Sequence, residues 1–139
     1  GANVTLIADA AAAQGLEHAD FALLGADCIT ASGAINKIGS RMIALAGHES
    51  GKPVLVVCDT SKFMGSTAGT REDLPRHEAL ELWPTAPAEI VVLNTYFEAT
   101  PLPLLTNVIT ERGPMRPEEA ARLADLFVLH RRLLEVIDH

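Results

Sequence analysis

Short apolar blocks alternate with polar or small-residue stretches along this chain, and their lengths separate strands from helices. Residues 4–9, "VTLIAD", are β-branched and apolar and read as a strand buried on both faces. Residues 10–19 have helix-forming composition, which Gly15 weakens. Residues 21–26, "FALLGA", form a second strand candidate ended by Gly25. A helix is expected over about residues 38–48, with Ile38, Met42, Leu45 and Ala46 on one stripe. The clearest strand is "KPVLVVCD", residues 52–59, with Pro53 at its opening edge.

Residues 60–87 carry Gly65, Gly69, Pro75, Pro84 and Pro87, which predicts a long loop with a short helical piece near residues 77–82. "EIVVLN", residues 89–94, reads as a fourth strand. The tail from Arg116 onward is expected to be helical. Pro117 suits its first position, Glu118 and Glu119 face the positive end of its dipole, and Leu123, Phe127, His130, Leu134 and Ile137 form its buried stripe. Strands alternating with helices imply an α/β fold: a three-layer parallel sheet flanked by helices.

The chain of 139 residues fits one domain spanning residues 1–139, and 48% hydrophobic content supports an ordinary core. A net charge of -7 argues against a nucleic-acid surface but permits a local basic site for a small anion. Only Cys28 and Cys58 occur, so no disulfide framework is read, and a cytoplasmic setting is the simpler expectation. No apolar run approaches the roughly 18 residues needed to cross a bilayer, so no membrane partner is expected.

Ligands of open parallel sheets bind outside the carboxyl ends of the strands. Asp9, Asp27, Asp59 and Asn94 each follow an apolar strand run and should gather on one rim. Asp27 follows Gly25-Ala26, where small side chains admit a ligand, and desolvation there suits a proton carrier. The alternative is a carboxylate that caps its own turn. Asn36 and Lys37 fall at the expected start of the following helix, where free amides and a lysine favour an anion; Asn36 serves equally well as an N-cap. Neither a Gly-x-Gly-x-x-Gly nor a Gly-Lys-Ser/Thr phosphate loop occurs, so another kind of nucleotide-binding domain is the weakest reading. The histidines lack metal-ligand spacing and no metal is expected; Cys28 reads as a small buried thiol and Lys62 as a solvated loop lysine.

"VTLIADAA", "LLGADCITASGAINKIGS", "KPVLVVCDTSKF" and "YFEATPLPLLTNVITERG" occur in that order. Together they resemble the carboxyl-terminal domain shared by the alpha, beta and delta subunits of translation initiation factor 2B and by the isomerases of methylthioribose 1-phosphate and ribose 1,5-bisphosphate. The resemblance implies a Rossmann-like sheet, and homo-oligomers or partner subunits assembled partly through this domain. It also implies that Asp27 of "GAD" acts as acid/base and that Asn36 and Lys37 contact the phosphate of a phosphorylated sugar. The reaction would be aldose-to-ketose isomerisation with no metal or nicotinamide cofactor.

The departures are specific. "GAINK" is one residue shorter than the family pattern, and Ser32 stands at the usual loop asparagine. The chain opens at the counterpart of the family domain's second strand, truncated relative to that domain. The family's catalytic cysteine lies in the part not matched, and neither Cys28 nor Cys58 corresponds to it. The chain is therefore read as the substrate-binding part of a ribose 1,5-bisphosphate-type isomerase, inactive by itself. The competing expectation is a non-catalytic regulatory or assembly module like the initiation-factor subunits.

Overall fold

A computed structural model describes residues 1–65 and 74–127. The chain forms α1 (Ala12–Glu17), β1 (Ala22–Gly25), β2 (Cys28–Ile29), β3 (Gly33–Lys37), α2 (Ser40–Glu49), β4 (Val54–Val57), β5 (Phe97–Pro101), β6 (Asn107–Thr110), β7 (Gly113–Met115) and α3 (Pro117–Leu126). Short 3-10 turns at Asp9–Ala11, Thr60–Lys62, Ala79–Glu81 and Leu102–Leu104 punctuate the loops.

The sheet is mixed where an all-parallel one is expected. Its order is β1-β4-β6-β7, with β1, β4 and β6 parallel and β7 folded back antiparallel on β6. The reversal follows from Gly113, whose φ of +101° completes the Glu111-Arg112 turn in a region closed to most side chains. A second, antiparallel sheet of order β2-β3-β5 carries the segment after Asp27.

Burial along β4 alternates. Val54 and Val56 are each 1% exposed, whereas Val57 is 45% exposed, so among the described residues one sheet face is closed and the other half open. The closed face packs on α2, since a Cβ at Gly47 would stand only 2.5 Å from Val54 Cγ2. Burying each such valine contributes about 1.5–3 kcal/mol.

That close approach also corrects the expected α2 stripe. Ser40, Ala44 and Gly47 are the buried positions of α2, while Ile38, Met42 and Leu45 point outward. Only small side chains fit where helix and strand backbones come this close.

Two expected strands do not form. Residues 4–9 are exposed and make no ladder, because the edge of β1 away from β4 carries no pairing among the described residues. β-Propensity alone does not make a strand without a hydrogen-bonding neighbour. Residues 89–94 are likewise irregular, with the amide of Ile90 donating to Pro87 in a turn; β6 takes the place beside β4 instead. The tail helix begins at Pro117 as expected, with the Arg116 amide donating to Glu119 Oε2 at 2.7 Å. His130, Leu134 and Ile137 lie outside the described residues. No helix among the described residues is long and apolar enough to cross a membrane.

Candidate functional site

Of the four rim candidates, Asp27 and Asp59 follow paired strands. Asp27 leaves β1 and Asp59 leaves β4, its immediate parallel neighbour. Asp59 is satisfied locally, accepting from the Ser61 amide at 2.9 Å. Asp9 sits in an exposed 3-10 turn. Asn94 is buried away from any strand end, donating to the Glu78 carbonyl and to Glu81 Oε2. The four therefore do not form one rim, because two of the strands that would align them are missing.

Asp27 is exposed, so the desolvation expected of it is not supplied by the described residues. Its position is nevertheless defined. The Asp27 amide donates to the Ile35 carbonyl at 2.9 Å, one residue beyond the Cys28–Ile35 pair of the β2–β3 ladder. Ile35 is also the ladder partner of Cys28, so Asp27 and Cys28 both stand against Ile35 in a bulge-like entry to β2, one residue short of Asn36.

Asn36 and Lys37 end β3 rather than start α2. Consecutive strand residues leave opposite faces, and the two contact different groups. Asn36 Nδ2 donates to Ser40 Oγ at 3.1 Å, and Ser40 Oγ donates to the Lys37 carbonyl at 2.7 Å. Lys37 Nζ lies 4.2 Å from the Tyr96 ring centroid. The N-cap of α2 is Gly39, with φ of +102°, so Asn36 is not the cap.

The helix-start anion site expected for α2 has an internal occupant. Glu98, paired with Asn36 across β3–β5, accepts the amides of Gly39 and Arg41 on Oε1 at 2.7 and 2.9 Å. A carboxylate there satisfies two of the amides that every helix start leaves unpaired. Those two amides are therefore not free to hold an anion.

Lys62 is the rim group that the sequence understates. It is half-buried in the turn after β4 and stands close enough to Cys28, Cys58 and Asp59 to lower the proton affinity of each. Burial, reinforced by Asp27, nevertheless pushes the Cys28 thiol above its ordinary value. Burial, then Asp59 and Glu111, pushes Cys58 up likewise. Neither thiol is primed as a nucleophile.

Around Lys37 the structure assembles groups from one distant loop. The rings of His77 and Tyr96 stack with centroids 3.5 Å apart and planes 11° apart. The Tyr96 hydroxyl bonds to Glu81, and this bond above all holds the Glu81 carboxyl below the usual carboxylate range. Among the described residues no three His, Cys, Asp or Glu side chains converge as metal ligands. A groove of about 570 Å³ lies along β1, walled by Ile7, Leu16, Leu23 and Ile43 among others, too apolar to hold a phosphate.

Known proteins are similar to this chain in sequence and fold. The model of the Initiation factor 2 subunit family matches residues 1–117. A ribose 1,5-bisphosphate isomerase of Archaeoglobus fulgidus is 40% identical over 127 residues, covering 86% of this chain and 40% of that one. A 5-deoxyribose 1-phosphate isomerase of Moorella thermoacetica is 37% identical over 134 residues, covering 89% of this chain and 38% of its own. The crystal structure of a 5-methylthioribose 1-phosphate isomerase from Pyrococcus horikoshii superposes with a TM-score of 0.71 at 31% identity, covering 98% of this chain and 38% of that one. The chain thus spans about 40% of the length of the curated relatives it matches. With a family model matched across both sheets and into the first residue of α3, the chain belongs to the Initiation factor 2 subunit family.

Proposed function

We propose that this chain is the substrate-binding, carboxyl-terminal-type domain of a sugar-phosphate aldose–ketose isomerase, with ribose 1,5-bisphosphate as substrate. The carrying observation is the hydrogen bond from the Asp27 amide to the Ile35 carbonyl, which fixes Asp27 at the carboxyl end of β1 beside the strand that ends in Asn36 and Lys37. The names of the relatives supply the substrate class.

The chemistry needs few groups. Converting a furanose 1-phosphate to its ketose moves the C2 hydrogen to C1, opens the ring at the bond between C1 and the ring oxygen, and transfers the 2-hydroxyl proton to that oxygen. One carboxyl group can make both proton exchanges, giving a proton to the ring oxygen and taking one from the 2-hydroxyl. Asp27 has that role in this reading. Asn36 supplies an amide donor to the substrate, and Lys37 the charge that holds a phosphate. Asp27 accepts no side-chain hydrogen bond among the described residues that would make it a turn cap.

An amide-resolved NMR titration with ribose 1,5-bisphosphate tests the reading. Saturable shifts at Asp27 and from Asn36 to Gly39, lost in Lys37→Ala, are expected. Unmoved amides at millimolar ligand would refute it. A second reading, a non-catalytic assembly module, is favoured by the exposed apolar residues Met42 and Leu45 on α2 and Ile38 just before it. A strictly monomeric species in sedimentation velocity would count against that alternative.

A further inference from the structure

We propose that Tyr96 is the positioning residue of Lys37: it holds the ammonium where the substrate phosphate arrives, and His77 and Glu81 hold Tyr96. The proposal rests on the phosphate-binding reading of Lys37. Three independent contacts converge on the ring. Lys37 Nζ lies 4.2 Å from its centroid, well inside the range in which a cation is drawn to an aromatic face. His77 stacks on the ring at 3.5 Å, and the phenol hydroxyl is bonded to Glu81. Glu81 is itself held by Asn94 Nδ2 at 2.8 Å, and the His77 amide donates to the Asn94 carbonyl at 2.9 Å. The Tyr96 backbone is tied to the same strand end, because its carbonyl accepts the amide of Ile38 at 2.8 Å.

Each link bears on binding. A lysine has a flexible stem and three equivalent donors and no acceptor, so anchoring it to an anion costs rotamer freedom. A ring engages the cation on one side only, leaving the N–H donors on the other side for phosphate oxygens. A clamped ring therefore restricts the stem before ligand arrives, which is how preorganisation strengthens binding. The loop that supplies this clamp, from His77 to Tyr96, is otherwise irregular and largely exposed. The buried Nε2 of His77 has no hydrogen-bond partner among the described residues, so its ring is placed there by stacking.

The test is NMR titration of the full chain with ribose 1,5-bisphosphate, reading both affinity and the Lys37 side-chain methylene shifts. In the wild type the ring current of Tyr96 should move the Lys37 ε-methylene upfield. Tyr96→Leu should abolish that shift and weaken binding roughly three- to fivefold, the size of an exposed cation–ring contact. Tyr96→Phe keeps the ring and the His77 stack but loses the Glu81 bond, so it should keep part of the shift and bind between wild type and Tyr96→Leu; binding as weak as Tyr96→Leu would overturn the role of the ring face. If Tyr96→Leu binds as well as or better than wild type while Lys37→Ala binds weakly, the positioning role is overturned and the phosphate-binding reading stands. If Lys37→Ala binds as wild type does, that reading falls and the proposal with it. Should Tyr96→Leu fail to fold, an unshifted Lys37 ε-methylene in the wild type overturns the proposal alone.

Discussion

The amide of Asp27 donates to the carbonyl of Ile35, 2.9 Å away, and this bond links the exit of the parallel sheet to the antiparallel one. Asn36, the residue after Ile35, pairs with Glu98 in the β3–β5 register. The loop that leaves β1 is thereby tied to the strand that carries Asn36 and Lys37.

Asp27→Asn should silence chemistry without disturbing the fold. The amide keeps the shape, and the backbone bond to Ile35 does not involve the side chain. Loss of a positioned acid/base typically costs about 10²–10⁴-fold in rate. The protein as its gene encodes it, assayed with ribose 1,5-bisphosphate, should show that drop with its dissociation constant nearly unchanged. Equal turnover by the variant would remove Asp27 from the reaction.

Glu98 carries a separate prediction, because one oxygen accepts both Gly39 and Arg41 amides. Glu98→Ala leaves two part-buried donors unpaired and should destabilise the chain by about 1–3 kcal/mol. Glu98→Gln retains a carbonyl acceptor and should cost less, losing mainly the interaction with the helix dipole. Denaturant midpoints of the two variants decide the point: indistinguishable midpoints would mean the cap contributes nothing.

How much of this was legible in sequence varies with range. β4 is legible because a continuous apolar run lies between Pro53 and Asp59, and neither end can continue a central strand. α3 is legible from Pro117 and the acidic first turn. β3 is not, because Ser32, Gly33 and Ala34 carry little periodic signal and its partner β5 lies far along the chain, in a register running from Gly33–Pro101 to Lys37–Phe97. Missing β3 turned Asn36 and Lys37 into a supposed helix start. The same distance hid Glu98, which lies 59 residues from the Gly39 amide it accepts. The α2 stripe misleads because side-chain size does not decide burial where close approach at Gly47 selects the small face. The strand-end position of Asp27 is legible, but its exposure depends on packing that no local pattern carries.

Acid should unfold this chain through a few named carboxylates. Glu111 accepts from the Thr60 hydroxyl and amide, joining the loops after β4 and β6, and its carboxyl is held below the ordinary value chiefly by that hydroxyl. Glu119 is held down chiefly by the Arg116 amide. A carboxylate whose folded pKa is depressed contributes stability above its unfolded value and loses it as pH falls through the folded value. Melting temperature should therefore be level at neutral pH and fall below the ordinary glutamate value of 4.5. Glu111→Gln should flatten part of that fall; an unchanged acid limb would exclude the Thr60–Glu111 link as a contributor.

The two thiols report on the charges of the rim. Both lie above the ordinary cysteine value of 9.0, with burial as the leading cause. Since the thiolate is the reactive form, raising the pKa slows alkylation at any pH below it. At neutral pH both should react with iodoacetamide more slowly than the same residues in denaturant, and half-buried Cys58 faster than buried Cys28. The neighbours then move the rates in opposite directions. Asp27 raises Cys28, so Asp27→Asn should speed its alkylation; Lys62 lowers both thiols, so Lys62→Ala should slow both. Opposite signs in one protein cannot come from general loosening, which would speed every site. Faster alkylation in Lys62→Ala would mean that the ammonium does not reach the rim, and would remove Lys62 from the group of charges around Asp27.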